Sequence, residues 1–438
     1  MLRPSLFLTL LPLAPLAAQI PEGWIVVSST SSIPGLHALP ARGGSAPLPL
    51  ANVPAELVLT VGLSRGANTV AIHPDGRVFA GNLGIATGSP IALHALQLNG
   101  LTVAASTRVQ LGTSVSTTGS VNALAFLPDG RCLVAANGLQ AGSAMQRLAI
   151  VDIDAGVVTP LSVTGAPATT YNAITVNDAG TLAWFGTFAS TTSGQIWRVT
   201  LPTGGPAALV GSYGMGLSGL DVANDGRLVV SGLNAGVNPS AGFVDPNTGT
   251  FTPITGTSAN TSAVAVERAT GDVMLTSITN STQEVRHAAA SGPTTPLWTA
   301  FAGTVTGVDV QDSPRRYGVG TPLANTYRWQ VAPNAGGVPF LGNTAFALTV
   351  VAQPAAPLLT VAAFAPTRAA VTALGVTILV DPLQAIVVAA PAALTADVPV
   401  PIPNDPALAG VVLHAQCLHL EAGGFAASDG VTFGPVVP

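Results

Sequence analysis

The chain has 438 residues, only 8% of them charged, with 20 acidic residues against 15 basic ones and a formal net charge of -5. That balance excludes a partner held through many phosphates, as a nucleic acid would be. Every basic residue is arginine, which also excludes Schiff-base and phosphate-loop chemistry built on lysine, and 48% hydrophobic residues argue for packed structure over disorder.

Residues 1–19 place Arg3 ahead of an apolar run over residues 6–16, followed by Ala17 and Ala18. This reads as a secretory signal peptide cut near Ala18 or Gln19, too short for a membrane span and interrupted by Pro12 and Pro15. A buried N-terminal strand or helix is the alternative. No later stretch is expected to form a transmembrane anchor. Export permits disulfides, yet Cys132 and Cys417 fall in different predicted domains, so they read as separate buried thiols.

Six segments then align: NTVAI from Asn68, NALAF from Asn122, NAITV from Asn172, SGLDV from Ser218, SAVAV from Ser262 and TGVDV from Thr306. Their starts lie 54, 50, 46, 44 and 44 residues apart. The first position is small and polar, the third and fifth are large or β-branched, and the second and fourth are mostly small. That alternation predicts a strand with two different faces. Shortly after each comes a turn signal: Asp75 with Gly76, Asp129 with Gly130, Ala179 with Gly180, Asp225 with Gly226, then Gly271, then Ser313 with Pro314. Asp-Gly supplies the positive φ angles of a tight hairpin turn. A second strand follows, as in RVFA from Arg77 and RLVV from Arg227.

A unit of up to four short strands cannot bury both faces alone, and stacking such units around an axis predicts a β-propeller over residues 20–316. Small side chains near the axis allow close approach, and the third and fifth positions fill the space between units. Six lead strands imply six blades, with WIVVSS from Trp24 and GLHALPA from Gly35 completing the blade opened by Thr306. Seven blades follow if residues 316–320 supply a further second strand.

From residue 317 the repeat stops. About eight alternating runs separated by Pro, Gly and Asn predict a β-sandwich or jelly roll over residues 317–438. The runs LGVTILVDP from Leu374, PIPNDPALAG from Pro401 and GGFAASDGVTFG from Gly423 resemble the C-terminal β-rich module of many secreted planctomycete proteins. That resemblance implies export and association with other extracellular β domains. Where the module commonly has a Cys, this chain has Thr321. The front part is similar in architecture to six-bladed propellers of the NHL, gluconolactonase and streptogramin-lyase kind, a likeness that does not fix function.

The openings Asn68, Asn122, Asn172, Ser218, Ser262 and Thr306 should ring one mouth of the channel, where amides and hydroxyls can bind a glycan, a small polar ligand or a surface protein. Alternatively, each caps its own strand or fastens it to the loop before it. Asp221 and Asp309 are the nearest acids for a gluconolactonase-like metal, or else are satisfied between blades. No cofactor is implied. His73 and His287 stand apart from other histidines, Asp152, Asp154 and Asp245 lie at outer turns, and the five tryptophans read as packing. The expectation is therefore an exported, non-catalytic binding or scaffold protein, more a binder than an enzyme. The alternatives are a propeller enzyme of lyase or lactonase type at the channel mouth, and a structural module of the cell envelope.

Overall fold

The computed structural model describes residues 20–434 with the exception of short stretches, the longest of them 59–66 and 331–338. The expected signal peptide lies outside the described residues. Apart from 3-10 turns such as Ala55–Leu57, the regular structure among the described residues is β-strand, in a propeller-like all-β fold. No helix among the described residues is long and apolar enough to cross a membrane.

The repeated segments become the strands Ala67–Ile72, Ser120–Phe126, Thr170–Val176, Gly216–Val222, Asn260–Val266 and Val305–Val310, called lead strands below. Each opens an antiparallel sheet of four strands; a single pairing of Leu233 with Asn260 joins the fourth sheet to the fifth. The sheet of Val305–Val310 is completed by Trp24–Ser29, Leu36–Pro40 and Leu48–Pro49 from the start of the chain. Arg315–Tyr317 pairs with Gly424–Phe433 near the C-terminus and joins none of these sheets.

The hairpin turns at Asp-Gly are one residue longer than the shortest, two-residue form. In the second repeat Leu127 N–H donates to the Arg131 carbonyl and Gly130 N–H to the Leu127 carbonyl, which makes a three-residue loop. Only the glycine has positive φ, 88° at Gly130 and 85° at Gly226. A three-residue loop ending in a left-handed residue matches the twist of the flanking strands as well as a primed turn does. The aspartate serves instead to hold the arginine that follows the turn. Asp129 accepts bonds from the backbone and the guanidinium of Arg131, and Asp225 does the same for Arg227. The Arg227 guanidinium also lies 4.2 Å from the ring centre of Phe243. Both partners are solvent-accessible, so Arg227→Ala is expected to cost about 1 kcal/mol or less in a urea titration.

The third and fifth positions fill the space between sheets. Val70 and Ile72 pack with Val26, Leu36 and Ala38 of the preceding sheet, and Ile174 and Val176 pack with Leu133, Ala135 and Ile150. Val264 and Val266 meet Val229 and Ala241 in the same way, and Val308 and Val310 meet Met274 and Val285. Burying each such aliphatic side chain contributes about 1.5–3 kcal/mol. The small second positions are needed at the axis. A Cβ on Gly307 would lie 2.9 Å from Val70 N, and one on Gly219 would lie 2.8 Å from Val264 N.

Beyond residue 314, one sheet runs Arg315–Tyr317, Gly424–Phe433, Leu413–Glu421, Leu359–Ala365, Ile386–Ala390, and a second runs Thr326–Gln330, Ala347–Gln353, Thr395–Pro399. Their facing sides share a core in which Trp329, Leu348, Val350 and Val398 meet Ala362, Ala415, Cys417 and Phe433. His419 is buried on the same side, stacked 3.6 Å from Tyr327, and burial pushes its pKa down to about 4. Cys132 and Cys417 are both free and buried, and burial raises both thiols far above the ordinary range. Neither is expected to react with a thiol reagent in the native protein, and both should react together once it is unfolded in urea.

Candidate functional site

The lead strands converge at their first residues at one end and at their fourth and fifth residues at the other. At the first end a common backbone device appears. In every lead strand the ladder skips the first position, so that Asn68, Asn122, Asn172, Ser218, Ser262 and Thr306 each sit in a β-bulge. A bulge re-aims its side chain, and here the side chain turns toward the next lead strand. Asn68 donates to the Val121 carbonyl (2.9 Å), Asn122 to that of Tyr171 (3.2 Å), Ser218 to that of Thr261 (2.8 Å), Ser262 to that of Val305 (2.6 Å) and Thr306 to that of Ala67 (3.2 Å). Each acceptor immediately precedes the next bulge. Asn122 also donates to Asn172 Oδ1 at 2.8 Å. The six residues are brought together, and these bonds run from strand to strand.

The opposite end opens into a cavity of about 260 Å³. Ala71, Ala125, Phe126, Leu127 and Ala265 give it an apolar side, and Thr175, Asn177, Asp221, Arg268 and Asp309 a polar one. Arg316, Gly318 and Asp429, from beyond the repeat, complete its wall.

Asp221 and Asp309 occupy equivalent fourth positions and use equivalent contacts. Asp221 Oδ2 accepts from Val266 N–H (2.8 Å) and Oδ1 from Val222 N–H (2.7 Å). Asp309 Oδ2 accepts from Ile72 N–H (2.5 Å) and Oδ1 from Val310 N–H (2.8 Å). Each carboxylate thus clasps the fifth residue of the following lead strand. They differ in their charged neighbours. Asp221 is paired with Arg268 at 2.8 Å, and Arg268 also donates to the Val222 carbonyl.

Asp309 accepts only from backbone N–H groups among the described residues, and it is half-buried in the wall of the cavity. Burial pushes its pKa up to about 7; the backbone N–H of Ile72 pulls down, the charge of Asp221 pushes up, and Val310 N–H and Arg268 pull down again.

The other candidates stand apart from this cavity. His73 Nε2 bonds the Gly130 carbonyl at 3.0 Å, and His287 Nε2 meets Asp272 at 2.7 Å. Asp154 forms a two-pronged pair with Arg77, Asp152 accepts from Ala155 N–H, and Asp245 from Asn247 N–H. Trp184 is buried, and Trp197 donates to Gln195. Among the described residues no three of His, Cys, Asp and Glu gather as a metal site. Arg268 does not stand out in the sequence because it follows Glu267 in an ordinary polar turn. The repeat register holds the signal, since Arg268 stands where earlier repeats have Pro74 and Pro128.

No protein-family signature and no curated relative match the sequence, so nothing there supports the resemblance of the C-terminal residues to the planctomycete module. Solved structures are similar in fold. TolB from Acinetobacter baumannii is 17% identical with a TM-score of 0.46, over 66% of this chain and 67% of that one. The periplasmic gluconolactonase of Pseudomonas aeruginosa is 12% identical with a TM-score of 0.44, over 65% of this chain and 98% of that one. Virginiamycin B lyase from Staphylococcus aureus is 14% identical with a TM-score of 0.39, over 64% of this chain and 85% of that one.

The expectation of a protein more binder than enzyme is corrected at this point. Enzymes, a lactonase and a lyase, stand among the solved structures to which the chain is similar. That expectation rested on the want of a clustered His, Asp and Glu set, and a single carboxyl titrating near neutrality needs no such cluster.

Proposed function

We propose that the chain is an exported enzyme of lyase or lactonase type, acting at the channel mouth where Asp309 lies. The observation that carries this reading is a carboxyl group at a cavity wall with its proton affinity raised into the neutral range. Such a group both takes and returns a proton at working pH. In hydrolysis, ionised Asp309 takes a proton from water as that water adds to an ester carbonyl, and returns it to the ring oxygen as the C–O bond breaks. In elimination it takes a proton from a carbon that is flanked by a second carbonyl and adjacent to the carbon bearing the ester oxygen; the bond between that second carbon and the oxygen breaks, the released carboxylate takes the proton back from Asp309, and an open-chain isomer results. Arg268, fixed by Asp221, supplies positive charge for the developing oxyanion. Charges in the wall offset one another, Asp221 against Arg268 and Arg316 against Asp429, which suits an uncharged substrate.

The scaffold in this proposal is a closed six-bladed propeller over residues 20–316 followed by a β-sandwich or jelly-roll module over residues 317–438, with the strand Arg315–Tyr317 spanning the boundary between them. Closure is supported by the Thr306 bond to the Ala67 carbonyl and by the core shared between Val26 and Val70. The bulge residues at the far mouth then fasten blade to blade.

The test is to incubate the purified chain with uncharged lactones and cyclic esters and follow the products by chromatography and mass spectrometry. Hydrolysis adds one water, whereas elimination opens the ring at unchanged mass. Turnover that disappears in Asp309→Ala supports the reading. Failure of every compound both to turn over and to shift the thermal midpoint would sink it.

A further inference from the structure

The cavity belongs to two parts of the chain. Its floor and sides come from the lead strands, and Arg316, Gly318 and Asp429 come from the strands and turn that lead into and out of the C-terminal sheets. We propose that these C-terminal residues complete the site: they roof the cavity and keep bulk water from Asp309, so that the acid works only in the two-part protein. This rests on the reading of the mouth as the working site.

The roof is braced from behind. Asp429 Oδ1 accepts from Trp329 N–H at 2.9 Å, and its Oδ2 lies 3.8 Å from Arg316 Nε. Gly318 has φ of 64° and packs so close to Leu379 that an added Cβ would lie 2.8 Å from that side chain. Leu379 is itself fixed, since its N–H donates to Gln416 Oε1 (2.8 Å), while Gln416 Nε2 donates to the carbonyls of Thr377 (3.0 Å) and Ser428 (2.9 Å). The buried amide of Gln416 thereby locks the Val376–Val380 strand to Gly424–Phe433, and both hold the roof over the channel. The charged groups around the cavity are Asp221 and Arg268 from the lead-strand side and Arg316 and Asp429 from the roof. Asp309 itself touches the backbone N–H groups of Ile72 and Val310. Arg316 and Asp429 are positioning residues, acting on Asp309 through the exclusion of water.

The experiment is a carbon-13 titration of the Asp309 carboxyl in the full-length protein. Arg316→Ser with Asp429→Ser removes one positive and one negative charge together, so the change reports hydration more than net charge. In that double variant the titration is expected to fall by about one unit or more toward the ordinary aspartate range. Arg316→Lys with Asp429→Glu keeps the pair and should titrate as the wild type. Leu379→Ala loosens the support of Gly318 without touching any charge and should produce the same fall, so that it decides the question where the serine variant does not fold. An unchanged titration in a folded roof variant overturns the proposal. An ordinary titration already in the wild type overturns it as well, and identifies the reading of the site as the fault.

Discussion

Valine in place of Gly307 is expected to lower the stability of the protein by about 3 kcal/mol or more, at the upper end of what overpacking costs. The cause is local and geometric. Gly307 is the second residue of its lead strand, and a Cβ there would meet Ser28 Oγ at 2.5 Å, Val70 N at 2.9 Å and Thr69 Cα at 3.1 Å. A serine hydroxyl can swing aside; the backbone of the neighbouring lead strand cannot, without parting two sheets where Val26 and Leu36 meet Val70 and Ile72. Gly219→Val repeats the experiment elsewhere, against Val264 N at 2.8 Å and Ala263 Cα at 3.0 Å. The control is Gly214→Ala, since nothing lies within 4 Å of a Cβ built there; it should stay within about 0.5 kcal/mol of the wild type. For a chain of this size the two valine variants should melt roughly 3–5 °C lower, read by calorimetry or circular dichroism. Equal melting of Gly307→Val and Gly214→Ala would show that the lead strands do not approach one another as described.

The repeat was legible because its signals are local. Alternation over five residues identifies a strand face, and glycine after aspartate marks a chain reversal, so the lead strands and their hairpins can be read from the residues alone. Small residues at the second positions likewise announce a crowded axis, as Gly219 and Gly307 bear out in their contacts. The bulges were not legible. A bulge is a mismatch between two strands, and the sequence of one strand carries no record of which partner residue is skipped. The polar first positions could therefore be expected to lie near one another, but not to spend their bonds on the next strand's carbonyl groups.

The cavity was legible in part. Asp221 and Asp309 stand out as acids at positions that are otherwise small or polar, Ala71, Ala125, Thr175 and Ala265. What separates their chemistry is Arg268, which reaches Asp221. Asp429 and Arg316 were out of reach, because their meeting at the cavity wall depends on how the last strands fold back on Arg315–Tyr317.

Replacement of Asp309 should act on rate and on stability with separable pH signatures. Loss of a proton-transferring group lowers turnover by about 10²–10⁴-fold, so Asp309→Ala should fall by this much on any compound the wild type converts. If Asp309 works first as a base, wild-type turnover rises with pH and levels off above about 7, where the carboxyl is ionised. The stability effect has the opposite sense. Its folded pKa, about 7, stands above the unfolded value of 3.8, because burial disfavours the charge. The protonated group therefore contributes stability that is fully present below 3.8 and lost as pH rises through 7. Across that window the loss amounts to at most about 4 kcal/mol. His37, His94 and His419 work against this trend, since burial lowers all three and their contribution is lost as pH falls below 6.5. The wild-type curve alone therefore mixes opposing slopes, and the informative quantity is its difference from Asp309→Asn, in which the histidine contributions cancel. Asparagine also surrenders one of the two oxygens that accept from Ile72 and Val310, a cost that offsets the difference by a constant without tilting it. Urea titrations at intervals from pH 5 to pH 8 should show the wild type losing stability relative to the variant as pH rises. A difference that stays level would mean that Asp309 ionises at its ordinary value, and would remove the proton donor and acceptor on which the chemistry depends.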